Sequence, residues 1–165
     1  MTIGIAVAIV ALAAAPYIVS RGTPAPDFIV ETIQGEELTL DDLRGRIILL
    51  DFMATWCIPC RLSMPEYVRV YATYAGKIEL ISISIDPAFD SRSTLRRFAD
   101  QYRADWVFAR DTSLQTQRDY QVVNIPTLIL IDQNGYIRFR FSYTGGAFLS
   151  ADQIGAEIEN LLEQT

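Results

Sequence analysis

The 165-residue chain contains no histidine. That single absence excludes Ser-His-Asp and Cys-His catalysis, together with zinc, copper and non-haem iron sites built on imidazole. Cysteine is scarce too: two residues make neither a disulfide-rich scaffold nor a four-thiolate metal site within one chain. Basic residues number 14 against 20 acidic ones, and the formal net charge of −6 argues against a nucleic-acid partner. Apolar and aromatic material is plentiful by contrast. Half of the residues are hydrophobic, with 8 Phe, 8 Tyr and 2 Trp, too rich for a disordered chain and sufficient for the core of one domain. What remains open is the chemistry of two thiols.

Charge is also missing from Thr2 to Ser20, a mostly aliphatic run of 19 residues that falls within the roughly 17–25 needed to span a bilayer as a helix. Three readings stand: a membrane anchor, a cleaved signal peptide processed near Ala13, Ala14 and Ala15, or an unusually apolar buried helix. A signal peptide normally opens with Lys or Arg and has a shorter apolar region, so the anchor is the expectation. Arg21 is the only flanking charged side chain, and on its own it leans toward a cytoplasmic C-terminal side. Gly22 to Asp27 reads as a short stiff linker. The expected organisation is therefore an anchor or signal over residues 1–22 and a soluble domain over 23–165.

Within that domain, Phe28 to Ile33 and Glu37 to Leu40 read as strands joined by a turn, and Ile47 to Met53 as a strand covered on both faces, broken only by Asp51. Helical spacing of Met64, Tyr67, Val68, Tyr71, Ala72 and Ala75 predicts a helix ending at Gly76 and kinked at Pro65. Ile78 to Ile85 predicts another buried strand, and Leu95, Phe98, Ala99 and Tyr102 a second helix. A short strand over Trp106 to Ala109 follows, with Asp111 placed to cap a brief helix before Val122. Leu128 to Ile131 then turns through Asp132-Gln133-Asn134-Gly135 into Tyr136 to Phe141, where Ile137, Phe139 and Phe141 alternate with polar residues. Ser150 opens a capping box for a final helix carrying Ile154, Ile158, Leu161 and Leu162. The pattern predicts a mixed sheet with helices on both faces.

The candidate chemistry lies in Thr55-Trp56-Cys57-Ile58-Pro59-Cys60-Arg61, after the central strand and at the start of a helix. There the helix dipole and free N–H groups favour a thiolate on Cys57, the expected nucleophile. Cys60, one turn on, is placed to resolve a mixed disulfide on Cys57. A bare Cys-x-x-Cys also fits half of an intermolecular zinc site or two buried apolar thiols. No second thiol pair or histidine is present to complete a zinc site, so neither a metal nor a cofactor is expected. Trp56 reads as a shaper of substrate access or as plain cover over the helix start. Arg61 reads as support for the thiolate or as a solvated charge.

The segment from Asp51 to Cys60, with Asn124-Ile125-Pro126-Thr127 downstream, resembles the thioredoxin superfamily. Ala25-Pro26-Asp27-Phe28 and Leu38 to Gly45 are similar to its TlpA/ResA-like branch of membrane-tethered thiol-disulfide oxidoreductases, as is an extra strand-helix segment between Ile85 and Trp106. The resemblance implies a thioredoxin-like α/β fold with an N-terminal β-hairpin, Cys57 attacking and Cys60 resolving. It further implies that Pro126 is a cis-proline facing the thiols and that Ile125 offers its backbone to an extended substrate. Asp51 matches the buried acid that moves protons in that superfamily, the alternative being a strand-end aspartate bonded to nearby backbone. Ser63 stands where the branch has glutamate, with Glu66 one turn away, and Met53 replaces a common aromatic residue.

The implied function is reduction of protein disulfides, with cytochrome c maturation as one use, fed by a membrane or thioredoxin-type electron donor. The implied placement is membrane-anchored through residues 2–20 with an extracytoplasmic catalytic domain. A disulfide oxidase or isomerase and a non-catalytic thioredoxin-fold binding module are the alternatives. A peroxiredoxin is disfavoured because Ala54 stands where its threonine belongs, and a Sco-like copper chaperone because its site needs a histidine.

Overall fold

The computed structural model describes residues 22–164. Its strands are Thr23–Pro24 (β1), Ile29–Thr32 (β2), Glu37–Thr39 (β3), Ile47–Met53 (β4), Ile78–Ser84 (β5), Val107–Arg110 (β6), Thr127–Ile131 (β7) and Tyr136–Ser142 (β8). The helices are Ile58–Tyr74 (α1), Arg92–Tyr102 (α2), Gln115–Asp119 (α3) and Ala151–Leu162 (α4), with a 3-10 turn at Asp41–Leu43. All strands join one sheet in the order β1-β8-β7-β4-β5-β6-β2-β3. Strands β4, β5 and β6 run parallel and the remaining pairings are antiparallel, which is the expected mixed sheet.

Every residue of β4 is buried. Each of its aliphatic side chains contributes about 1.5–3 kcal/mol when fully buried. Six apolar residues therefore hold the strand in the core against the cost of the one carboxyl, Asp51, that goes in with them. Alternation sends Ile47, Leu49 and Met53 into one layer with α1, α2 and α4, and Ile48, Leu50 and Phe52 into the other. The second layer is closed by Leu43 of the 3-10 turn and by Tyr120 and Val122 after α3. Helices do lie on both faces, but the three long ones share a face.

Several local expectations are corrected. The linker is partly sheet: Thr23 and Pro24 pair with Ile137 and Tyr136, and the Ala25 N–H donates to the Gly135 carbonyl at 2.9 Å. The span between Ile85 and Trp106 holds α2 but no strand, because β6 starts at Val107. The cap of α3 is Leu114, in the left-handed region, although Asp111 does accept the Gln117 N–H at 2.7 Å. The alternation of Ile137, Phe139 and Phe141 breaks at a bulge opposite Leu130 and Ile131, so Ile137 packs in the second layer and the two phenylalanines in the first. Helix α1 contains Pro65 within its span and ends at Tyr74, two residues before Gly76. The Ser150 capping box forms as expected, with Gln153 as its partner. Among the described residues no helix is long and apolar enough to cross a membrane. The anchor expected at residues 2–20 lies outside the described residues.

Candidate active site

Strand β4 ends at Met53, and four residues later Cys57 adopts an extended conformation as the N-cap of α1. Its Sγ accepts the Cys60 N–H at 3.1 Å, occupying a donor that a helix start leaves free. Pro59 takes one of the first helical positions, where a missing N–H costs nothing. Cys57 and Cys60 are joined as a disulfide, their Cα atoms 5.3 Å apart. The Cys57 Sγ lies 3.8 Å from the Ile125 carbonyl oxygen, and the Ile125–Pro126 peptide is cis. The cysteine loop and the Ile125-Pro126 loop, 68 residues apart in sequence, thus meet at the thiol expected to attack.

A second loop clamps the first. Asp90 is fully buried, and its carboxylate accepts from the Thr55 N–H at 3.0 Å, from Ser84 Oγ at 2.6 Å and from Thr55 Oγ1. Asp86 accepts from Trp56 Nε1 at 2.9 Å and from the Phe89 N–H at 3.1 Å. Trp56 is 52% exposed, so this bond stands the ring up beside Cys57 instead of folding it into the core. Asp90→Ala strands its donors in a dry interior; chemical denaturation should show a loss of about 3 kcal/mol, against under 1 kcal/mol for a surface change such as Asp152→Ala.

Beneath α1, Asp51 projects on the same face of β4 as the cluster containing Cys57, Cys60, Met64 and Tyr67. It is 1% exposed. One oxygen accepts from Ser82 Oγ at 2.9 Å, and Ser82 in turn accepts from Trp106 Nε1 at 3.0 Å. The other oxygen, Oδ1, has no hydrogen-bond partner. Burial pushes the Asp51 carboxyl up to about 7, the Ser82 bond opposing the rise. Burial, and after it the Asp51 charge, holds the Tyr67 hydroxyl well above its usual range.

Glu66 is directed elsewhere. It accepts the Ala151 N–H at 2.6 Å at the start of α4 and pairs with Arg69 at 3.1 Å. Ser63 is buried and donates to the Pro59 carbonyl at 3.1 Å, within its own helix. The described residues contain no group of three or more His, Cys, Asp or Glu arranged to hold a metal ion.

The structure brings together Cys57, Cys60, Ile125 and Pro126, with the two cysteines and Pro126 buried and Trp56 exposed beside them, and places Asp51 on the thiol-bearing face of β4. The alternative of a strand-end aspartate tied to backbone does not hold, since its partner is the Ser82 side chain. Sequence reasoning missed Ser82, Asp86 and Asp90, and assigned Trp106 only to the core. Isolated polar residues at a strand end carry no motif; the usable signal was Ser82 and Ser84 interrupting an apolar strand.

The AhpC/TSA family profile matches residues 21–140. The thioredoxin-like protein YneN of Bacillus subtilis is 35% identical over 120 residues, covering 73% of this chain and 70% of YneN. The thiol-disulfide oxidoreductase ResA of Geobacillus kaustophilus is 31% identical over 121 residues, covering 73% of this chain and 68% of ResA. A solved structure assigned as the thiol:disulfide interchange protein DsbE of Chlorobium tepidum superposes with a TM-score of 0.72 at 32% identity, covering 86% of this chain and 97% of that one.

Proposed function

The chain belongs to the AhpC/TSA family, within its thioredoxin-like members, and from that premise we propose that it is a thiol-disulfide oxidoreductase that reduces protein disulfides through Cys57 and Cys60. The observation that carries the dithiol chemistry is the juxtaposition of a helix-capping Cys57 with a buried acid, Asp51, on the thiol-bearing face of β4. Although the family profile is named for AhpC/TSA, the threonine of a peroxidatic site is replaced by Ala54, which offers no hydroxyl.

In the dithiol state the Cys57 thiolate attacks one sulfur of a substrate disulfide, forming a mixed disulfide and releasing the first substrate thiolate, which takes a proton from solvent. The Asp51 carboxylate accepts the Cys60 proton as Cys60 attacks the Cys57 sulfur. This closes the Cys57–Cys60 bond and expels the second substrate thiolate, which is protonated in turn. Two electrons have moved from the protein to the substrate. A donor dithiol, from a membrane protein or a thioredoxin-type carrier, returns them. The Ile125 carbonyl beside Cys57 supports main-chain pairing with an extended substrate, and Trp56 lines its approach.

In this reading residues 1–22 tether the catalytic domain, 23–165, to the outer face of a membrane, where protein disulfides are found. Cytochrome c maturation is a use that fits, because haem-attachment cysteines must be reduced. A C-terminal alkaline phosphatase fusion should be active, and an inactive fusion would reverse the placement. The direction of the reaction is tested by the potential of the Cys57–Cys60 couple. A value near that of thioredoxin, about −270 mV, is expected; one near that of the oxidant DsbA, about −120 mV, would make the protein an oxidase.

A further inference from the structure

Next to Cys57, Trp56, Phe89 and Phe98 wall an open recess of about 280 Å³ whose rim carries Arg61 and Arg97. Arg61 follows Cys60 directly, and its own N–H donates to the Cys57 carbonyl, so the recess is fixed to the redox loop. Most arginines among the described residues end on a carboxylate or on a backbone carbonyl, as Arg96, Arg118 and Arg140 do; Arg61 and Arg97 end on neither. Arg44, Arg46, Arg69 and Arg138 each end on a carboxylate. Among the described residues Arg61 and Arg97 have no carboxylate partner, and Arg97 reaches only Thr94 Oγ1, at 3.4 Å. Asp86 holds the aromatic wall in place: one oxygen accepts from Trp56 Nε1 and the other from the Phe89 N–H. Two cations outside any ion pair therefore share one open, aromatic-walled recess in a chain of net charge −6.

Two guanidinium groups lining one recess favour an anion there, and a guanidinium binds carboxylate in a fixed two-pronged geometry. The aromatic walls suit the methylene stem of the same ligand. We propose that this recess is a specificity subsite for an acidic side chain of the substrate, Asp or Glu close to the attacked half-cystine, held by Arg61 and Arg97 while Cys57 forms the mixed disulfide. The subsite rests on the disulfide-exchange reading and names which protein disulfides that reaction favours.

The test uses the full chain in its dithiol form and peptides carrying one disulfide, identical except for Glu, Gln or Lys placed on either side of the half-cystine. The neutral probe 2,2′-dipyridyl disulfide is run in parallel. At low salt the Glu peptide should react about fivefold faster than the Lys peptide, the scale of one partly exposed ion pair, with the difference fading as salt is raised. Arg97→Gln, which leaves Arg61 alone, should shrink the difference to about twofold, and Arg97→Glu, which sets a carboxylate beside Arg61, should erase it. Both changes fall on an exposed helix position, so the fold is retained. Equal rates on all three peptides, or a preference that survives Arg97→Glu, would overturn the subsite while reduction of the neutral probe left the exchange reading intact. Failure to reduce that probe would overturn the exchange reading and the subsite with it.

Discussion

Cys60→Ser is expected to halt turnover at the mixed disulfide and to leave substrate proteins covalently attached to Cys57. The nucleophile is untouched by this change: Cys57 keeps its place at the α1 N-terminus, its contact with Ile125 and its position beside the exposed Trp56. What is lost is a resolving thiol held one helical turn away. Well-oriented intramolecular groups act at effective molarities of about 10⁵ M or more, and no external thiol at millimolar concentration replaces that. Steady-state reduction of a protein disulfide should therefore fall at least about a thousandfold while the first attack proceeds, and mass spectrometry of the adducts names the substrates. Adducts forming instead on Cys60 in Cys57→Ser would reverse the assignment of the two thiols. Unchanged activity in cells carrying Cys57→Ser would favour the non-catalytic binding module.

Asp51→Asn has two consequences of opposite sign. As the base that receives the Cys60 proton, Asp51 must be ionised, and with its carboxyl near 7 the resolving step should speed up as pH rises through that value. The Asn form should lose about a hundredfold in that step above pH 7, the low end of what a positioned base supplies. Stability moves the other way. The folded carboxyl is raised from 3.8 to about 7, so the folded state binds the proton more tightly than the unfolded chain. That contribution is complete below pH 4, shrinks as pH rises and is gone above about pH 7. Three pH units correspond to about 4 kcal/mol. At pH 8 the Asn protein should be more stable than the parent by about 3–5 kcal/mol, and at pH 4 the two should nearly coincide in chemical denaturation. A slower but more stable variant is the signature sought; equal pH dependence in the two proteins would exclude a titrating Asp51.

How much of this was legible in the sequence follows from the range of each interaction. Apolar runs and helical spacing place β4, β5, α1, α2 and α4 because burial reads one side chain at a time. The cysteine loop is legible because its chemistry is local: a thiol at a helix start and its partner three residues on. Asp51 announces itself as one carboxyl inside an apolar strand. Asp90 does not, because nothing near it in sequence reveals that Thr55, 35 residues earlier, supplies its donors. Glu66 shows the converse: its helical spacing from the cysteines suggests a second acid at the site, yet the start of α4, 85 residues on, claims it. The bulge in β8 was hidden for a related reason. A period-two pattern assigns faces only while the register with the neighbouring strand is unbroken, and that register is a property of two segments.

The pairing of β1 with β8 gives the domain a polarity. Thr23 and Pro24 dock beside Ile137 and Tyr136, at the end of β8 next to the Asp132-to-Gly135 turn, whereas the Ile125-Pro126 loop leads into the opposite end of β7, where Thr127 faces Ser142. The five residues of β7 separate the two poles by about 16 Å of strand, before the loops beyond either end are counted. With residues 2–20 held in a bilayer, the chain would leave the membrane at one pole and carry its thiols at the other, pointing outward. A soluble protein disulfide meets such a site head-on. In that arrangement an electron donor embedded in the same membrane would not, and would have to raise its own thiols by the height of this domain to recharge Cys57.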